Sequence, residues 1–174
     1  YEYYMLNKPA GVVSATEDKK ERTVLDLLQE RKRKDLFPVG RLDKDTEGLL
    51  LITNNGDLAH RLLAPGRHVD KVYYAEIDGK VTREDAELFR AGVDIGDKKK
   101  TMPAFLEILS SADRSEILLT IREGRFHQVK RMFHAVGKEV LFLRLIQMGP
   151  LKLDEKLRPG EYRRLTKEAV EKLC

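Results

Sequence analysis

Cysteine is nearly missing from this chain: there is one in 174 residues, Cys174, at the last position. A lone thiol excludes an internal disulfide and suits a reducing compartment, so a cytoplasmic protein is expected. Long apolar runs are also missing. No stretch approaches the ~18 residues of a membrane-spanning helix and no signal-peptide pattern is visible, so no membrane role is expected. The four histidines (His60, His68, His127, His134) lack cysteine or His-Glu partners at zinc-like spacing. That excludes the common metal motifs, and no metal is expected. Neither internal repeat nor linker interrupts the chain, which is long enough for one sizeable core or two lobes sharing a sheet.

What is present is ordinary in amount and uneven in place. Hydrophobic residues make up 41% and charged residues 36%, with a formal net charge of only +4. Between Arg122 and Arg144, however, six basic residues stand against two acidic ones, a surplus of four. The rest of the chain is therefore formally neutral, apart from a local cluster at Arg31-Lys32-Arg33-Lys34 that Glu30 and Asp35 partly offset. Localised positive charge of this kind suits a polyanion docking on one face.

The stretch Gly40-Arg41-Leu42-Asp43-Lys44-Asp45-Thr46-Glu47-Gly48 sits between two glycines and runs directly into Leu49–Thr53. That apolar run, closed by Asn54-Asn55-Gly56, reads as a short buried strand. If Arg41-Leu42-Asp43 is extended, the side chains of Arg41 and Asp43 leave one side and Leu42 the other. A guanidinium and a carboxylate would then share one face of a loop held by a rigid element. On spacing alone, a surface ion pair in a turn is the better of the two readings.

Elsewhere the pattern alternates strands and helices. Tyr1–Leu6 and Val12–Ser14 are strand-like around the turn Asn7-Lys8-Pro9-Ala10-Gly11. Thr23-Val24-Leu25-Asp26 and Thr82-Arg83-Glu84-Asp85 are capping boxes that start helices, the first running out through Lys34. Asn55-Gly56-Asp57 either turns the chain or caps a helix over Leu58–Ala64, and another helix is expected late in the chain from Thr166. Strands are expected over Lys71–Ile77, Ala104–Leu109, Ser115–Arg122 and Val140–Met148, with 93–103 a loop of little regular structure. On a helix, Val129, Met132, Phe133 and Val136 form an apolar stripe at i, i+3, i+4, i+7. His127, Lys130, Arg131 and His134 form a basic one opposite, and a solvated face is the plain explanation for it. Several hairpins among these elements indicate an α+β domain on a mostly antiparallel sheet.

Three of these segments resemble the motifs of the RNA pseudouridine synthases, in order and across essentially the whole chain. Asn7-Lys8-Pro9-x-Gly11 is similar to the first motif, in which the Lys-Pro pair supports the active site. Gly40-Arg41-Leu42-Asp43 with Asp45-Thr46-x-Gly48-Leu49 is similar to the catalytic loop. Glu123-Gly124-Arg125-Phe126-His127-Gln128-Val129-Lys130-Arg131-Met132-Phe133 resembles the third motif and is the most specific match. The His-Gln-Val-Lys-Arg-Met-Phe and Gly160-Glu161-Tyr162-Arg163-x-Leu165-Thr166 stretches most resemble the branch that modifies 16S ribosomal RNA.

The resemblance implies a mixed, mostly antiparallel sheet flanked by helices, crossed by a central active-site cleft, with residues 1–174 as the catalytic domain. It also implies an N-terminal S4 domain, which this chain, starting at Tyr1, is expected to lack. The implied activity is isomerisation of a uridine to pseudouridine in ribosomal RNA, without cofactor or metal, by a monomer. The catalytic set would be Asp43, Tyr73 (from Lys71-Val72-Tyr73) and Lys130. Arg41 would fill the gap left by the flipped base, and Lys8, Lys71, Arg125, His127, Gln128 and Arg131 would contact RNA. Two rivals stand beside this reading. One is the same reaction on 23S RNA; the other is an RNA-binding assembly factor with the fold and no product.

Overall fold

The computed structural model describes residues 1–29 and 35–173. The basic cluster at Arg31–Lys34, the helical run-out expected through it, and Cys174 lie outside the described residues. The chain divides into two compact units, Tyr1–Arg67 with Leu145–Cys174, and His68–Arg144.

In the first unit, β1 (Tyr3–Lys8) pairs antiparallel with β3 (Glu47–Thr53), in a register that sets Lys8 opposite Gly48 and Asn7 opposite Leu49. Strand β2 (Phe37–Val39) pairs with the far end of β3, and β9 (Tyr162–Arg164) with the other edge of β1. Neither short strand was expected from sequence. Three residues carry too little periodicity to stand out; pairing with long neighbours makes them strands. Val12–Ser14 forms only a single bridge, Val13 to Thr23, instead of a strand. The first capping box works as expected, with the Asp26 carboxylate accepting from the Thr23 N–H at 2.9 Å. It opens one 3-10 turn, Val24–Leu27, in place of a longer helix. Helix α1 (Gly56–Leu63) starts under Asn55, whose side chain accepts from the Leu58 N–H. The core of this unit gathers Tyr4, Leu6, Val24, Leu28, Leu50 and Ile52.

In the second unit, β4 (Lys71–Asp78), β5 (Phe105–Ser110) and β6 (Arg114–Ile121) lie in the order β5-β6-β4, all antiparallel. Helices α2 (Arg83–Ala91) and α3 (Gln128–Ala135) contribute Phe89 and Phe133, which meet edge to face at 5.0 Å. The apolar stripe of α3 is as expected: Val129, Met132 and Phe133 are buried in one cluster with Ala75, Ile77, Ile117 and Leu119. Strand β7 (Glu139–Met148) passes from the second unit into the first at Arg144, and the two-residue β8 (Leu151–Lys152) folds back on its end. A last helix, α4, covers Lys167–Leu173. Nine strands and four α-helices among the described residues, with each sheet pairing described above antiparallel, make the expected α+β fold.

Candidate active site

The loop 40–46 is held at almost every residue. Gly40 and Gly48 bound it with φ of +98° and +120°, a region that favours glycine. Ser14 clamps Leu42: its Oγ accepts from the Leu42 N–H at 3.1 Å and donates to the Leu42 carbonyl at 2.9 Å. The Thr46 N–H donates to the Asp43 carbonyl at 3.0 Å, closing a turn, and the Gly11 N–H donates to the Lys44 carbonyl at 2.9 Å. Between these ties Leu42 is buried, Arg41 exposed and Asp43 half-buried. That alternation is the one expected of an extended Arg-Leu-Asp. Gly48 has a further duty, since a Cβ there would overlap the backbone of Leu145 in the same unit.

Lys8 completes the clamp, and its place corrects an expectation. It was expected to reach RNA from a turn. Instead β1 continues to Lys8, so the side chain follows Tyr4 and Leu6 onto the core face and is 0% exposed. Its ammonium donates to the carbonyls of Pro9 (2.9 Å), Lys44 (3.1 Å) and Thr46 (2.7 Å). Burial pushes its pKa down to about 8, against the partial opposition of the nearby charges of Asp45, Glu47 and Asp43. A lysine so enclosed holds the carboxylate-bearing loop and touches no phosphate.

The second unit carries the other expected residues. Tyr73 lies on β4 opposite Leu119, on the same face as the fully buried Ala75 and Ile77, and packs half-buried against their cluster. Val129 belongs to that cluster and Lys130, half-buried, follows it on α3. Tyr73 and Lys130 thus stand in one unit, on a strand and a helix that both contribute to that core. Lys71, at the start of β4, has its pKa lowered by burial, and a Cβ on Gly124 would come within 2.9 Å of its ammonium. Glycine there leaves room for the lysine.

Around the third motif, several side chains expected at RNA serve the fold. Gln128 is buried: its Oε1 accepts from the Arg125 N–H at 3.1 Å and its Nε2 donates to Glu123 at 3.0 Å. That removes it from the RNA-contacting set. Arg125 donates to Glu123 and to the Lys99 and Lys100 carbonyls; Arg131 donates to the Phe126 and Ile95 carbonyls and to Asp97. His127 caps α3 in the left-handed region, φ +47°, with its ring stacked on Phe126. One anchor, Ser14, had no sequence signal of its own; a second, Glu123, stands in the third motif but was expected to carry no role there. Among the described residues, no cluster of three His, Cys, Asp or Glu could hold a metal ion.

The profile described as RNA pseudouridylate synthase matches residues 2–135. An uncharacterised RNA pseudouridine synthase of Bacillus subtilis is 52% identical over 170 residues, covering 97% of this chain and 71% of that protein. The ribosomal small subunit pseudouridine synthase A of Vibrio cholerae is 46% identical, and that of Escherichia coli 44%, each over 97% of this chain and 72% of its own length. A crystal structure of a pseudouridylate synthase superposes with a TM-score of 0.93 at 40% identity, covering 99% of this chain and 74% of that one. With a family profile over most of its length and relatives this similar, the chain belongs to the RNA pseudouridylate synthase family and is an isomerase acting on uridine in RNA.

Proposed function

We propose that this enzyme converts one uridine of small-subunit (16S) ribosomal RNA to pseudouridine, with Asp43 as its catalytic carboxylate. The observation that carries the assignment is the clamped loop: Ser14, Lys8 and Gly11 fix the backbone on both sides of a half-buried Asp43. Support for the RNA comes from the relatives named for the small ribosomal subunit, 44–46% identical over nearly the whole chain.

The reaction breaks the bond between C1′ and N1, turns the base, and forms a bond from C1′ to C5; the C5 proton leaves and N1 gains one. An ionised carboxylate at C1′ serves that sequence as nucleophile or counter-charge. Lys130, in the third motif, is assigned as the basic member of the catalytic set. Tyr73, held by its cluster, is assigned to stack on the extruded uracil and repay part of the few kcal/mol that flipping costs. Arg41, exposed beside Asp43 in sequence, is assigned to the gap the base leaves, with Lys71 and His127 at the RNA backbone. The reading includes a monomer working in the cytoplasm without metal or cofactor.

Tritium release from RNA labelled at uridine C5 tests it. Asp43→Asn should abolish release, by about four orders of magnitude or more, with RNA binding retained. Release that survives the substitution removes Asp43 from the mechanism. Mapping pseudouridine in cells lacking the protein tests the RNA: a loss in the large subunit alone overturns the small-subunit assignment.

A further inference from the structure

The loop between α2 and β5 is irregular, yet it is pinned. The Thr101 N–H donates to the Val93 carbonyl and the Val93 N–H to the Thr101 hydroxyl, both at 2.9 Å, closing the neck. Val93 and Ile95 are buried beneath it. Beyond the neck, Arg125 grips the carbonyls of Lys99 (2.7 Å) and Lys100 (2.9 Å). Arg131 holds the Ile95 carbonyl (2.9 Å) and the Asp97 carboxylate (3.1 Å), and the Glu123 carboxylate accepts from the Met102 N–H (2.7 Å). The two guanidiniums keep the Asp97 carboxyl below its usual range, Arg131 having the larger effect.

What this scaffold displays is Lys98-Lys99-Lys100, three consecutive exposed lysines. Among the described residues, no carboxylate pairs with any of them. The same Arg131 that holds the loop also donates to the Phe126 carbonyl at 2.8 Å, so one guanidinium ties Phe126 to the lysine loop. Phe126 is 75% exposed although it is a large apolar ring. His127 lies against its ring, with centroids 3.8 Å apart and planes 16° from parallel. The stack is built on a non-glycine residue at φ +47°, a conformation that costs about 1 kcal/mol or more and persists only when its surroundings impose it.

An aromatic ring backed by a second ring, beside unpaired ammonium groups on a rigid loop, has the chemistry of a single-strand nucleic-acid contact. Such sites stack a base on the ring and hold the neighbouring phosphates by charge. We propose that Phe126 and Lys98–Lys100 form a subsite for nucleotides flanking the target uridine, taking an unpaired base on Phe126 and phosphates on the lysines. Arg125, Arg131 and Glu123 are its positioning residues. The inference rests on the reading of this protein as an enzyme of ribosomal RNA, and it adds a contact outside the residues assigned to the uridine itself.

The test uses the full chain and a fluorescein-labelled transcript of small-subunit ribosomal RNA, titrated at several salt concentrations. Lys98→Ala/Lys99→Ala/Lys100→Ala should weaken binding at least about ten-fold and lower the slope of log affinity against log salt by roughly two. Phe126→Ala should weaken binding about ten-fold with the slope unchanged, and Phe126→Trp should restore it. Lys152→Ala, in the other unit, should behave as wild type. All these side chains are exposed, so the melting temperature should not move. Wild-type affinity and slope in both loop variants, in preparations where Asp43→Asn has lost product, overturn the subsite and leave the catalytic reading intact. Weakened binding in the loop variants, with no product from the wild-type chain, supports the subsite and overturns the catalytic reading instead.

Discussion

Lys8 carries a charge that the fold has paid to bury. A folded pKa of about 8 against an ordinary 10.5 means the native chain binds fewer protons than the unfolded chain between those values. Stability therefore rises with pH through that window. The cost of the buried ammonium, on the order of 3 kcal/mol, is fully present below pH 8 and is relieved as pH climbs toward 10.5. Lys8→Met should lose this dependence. It should also leave the Thr46 carbonyl without its ammonium donor, at about 1–3 kcal/mol if it stays dry, while the Lys44 carbonyl keeps the Gly11 N–H. Urea titrations of both proteins at about pH 7 and about pH 10 should show the gap widening in favour of wild type at the higher pH. An equal gap at both would mean that Lys8 is not buried as a cation. Because the same ammonium holds the Asp43 loop, kcat should fall by roughly ten-fold or more, as small misplacements near reacting groups do.

Among the elements, the junction of the catalytic loop with β3 tolerates least. Gly48 combines φ +120° with the backbone of Leu145 where a Cβ would stand. Gly48→Ala should cost on the order of 2–4 kcal/mol, from left-handed strain plus overlap with atoms that cannot rotate away. For a chain of this size the melting temperature should drop by roughly 5 °C or more. A variant that melts with wild type would show that β3 and the end of β7 can separate there without penalty. The same junction explains an error in reading the sequence. Leu49 looked like the start of the strand because it begins the apolar run, but pairing with β1 extends the ladder back to Gly48, and the strand begins at Glu47.

On the scale of the whole molecule, each unit has its own apolar cluster, one around Leu50 and Ile52, the other around Ile117, Leu119 and Phe133. Amide exchange should therefore show two sets of slow protons. One should centre on β1 and β3, the other on β4 and β6, where pairing runs over six and eight residues. A single protected set, confined to one unit, would mean that the other lacks an independent core. The number of units was not legible beforehand. Composition allows one core or two lobes, and only contacts between residues far apart in sequence decide between them.

What the sequence settled by itself was the chemistry of the segments: which loop bears the carboxylate, which helix has an apolar and a basic side, and where capping boxes start elements and glycines stop them. These depend on neighbours within a few positions, so local pattern suffices to find them. The destination of charged side chains was decided only by the tertiary structure. Lys8 became a buried clamp because β1 runs two residues past its apolar stretch. Arg125 and Arg131 became struts because a loop some 25 to 36 residues away in sequence brings its carbonyls to them. A cation takes whichever acceptor the fold delivers, and that acceptor is not written next to it in the chain.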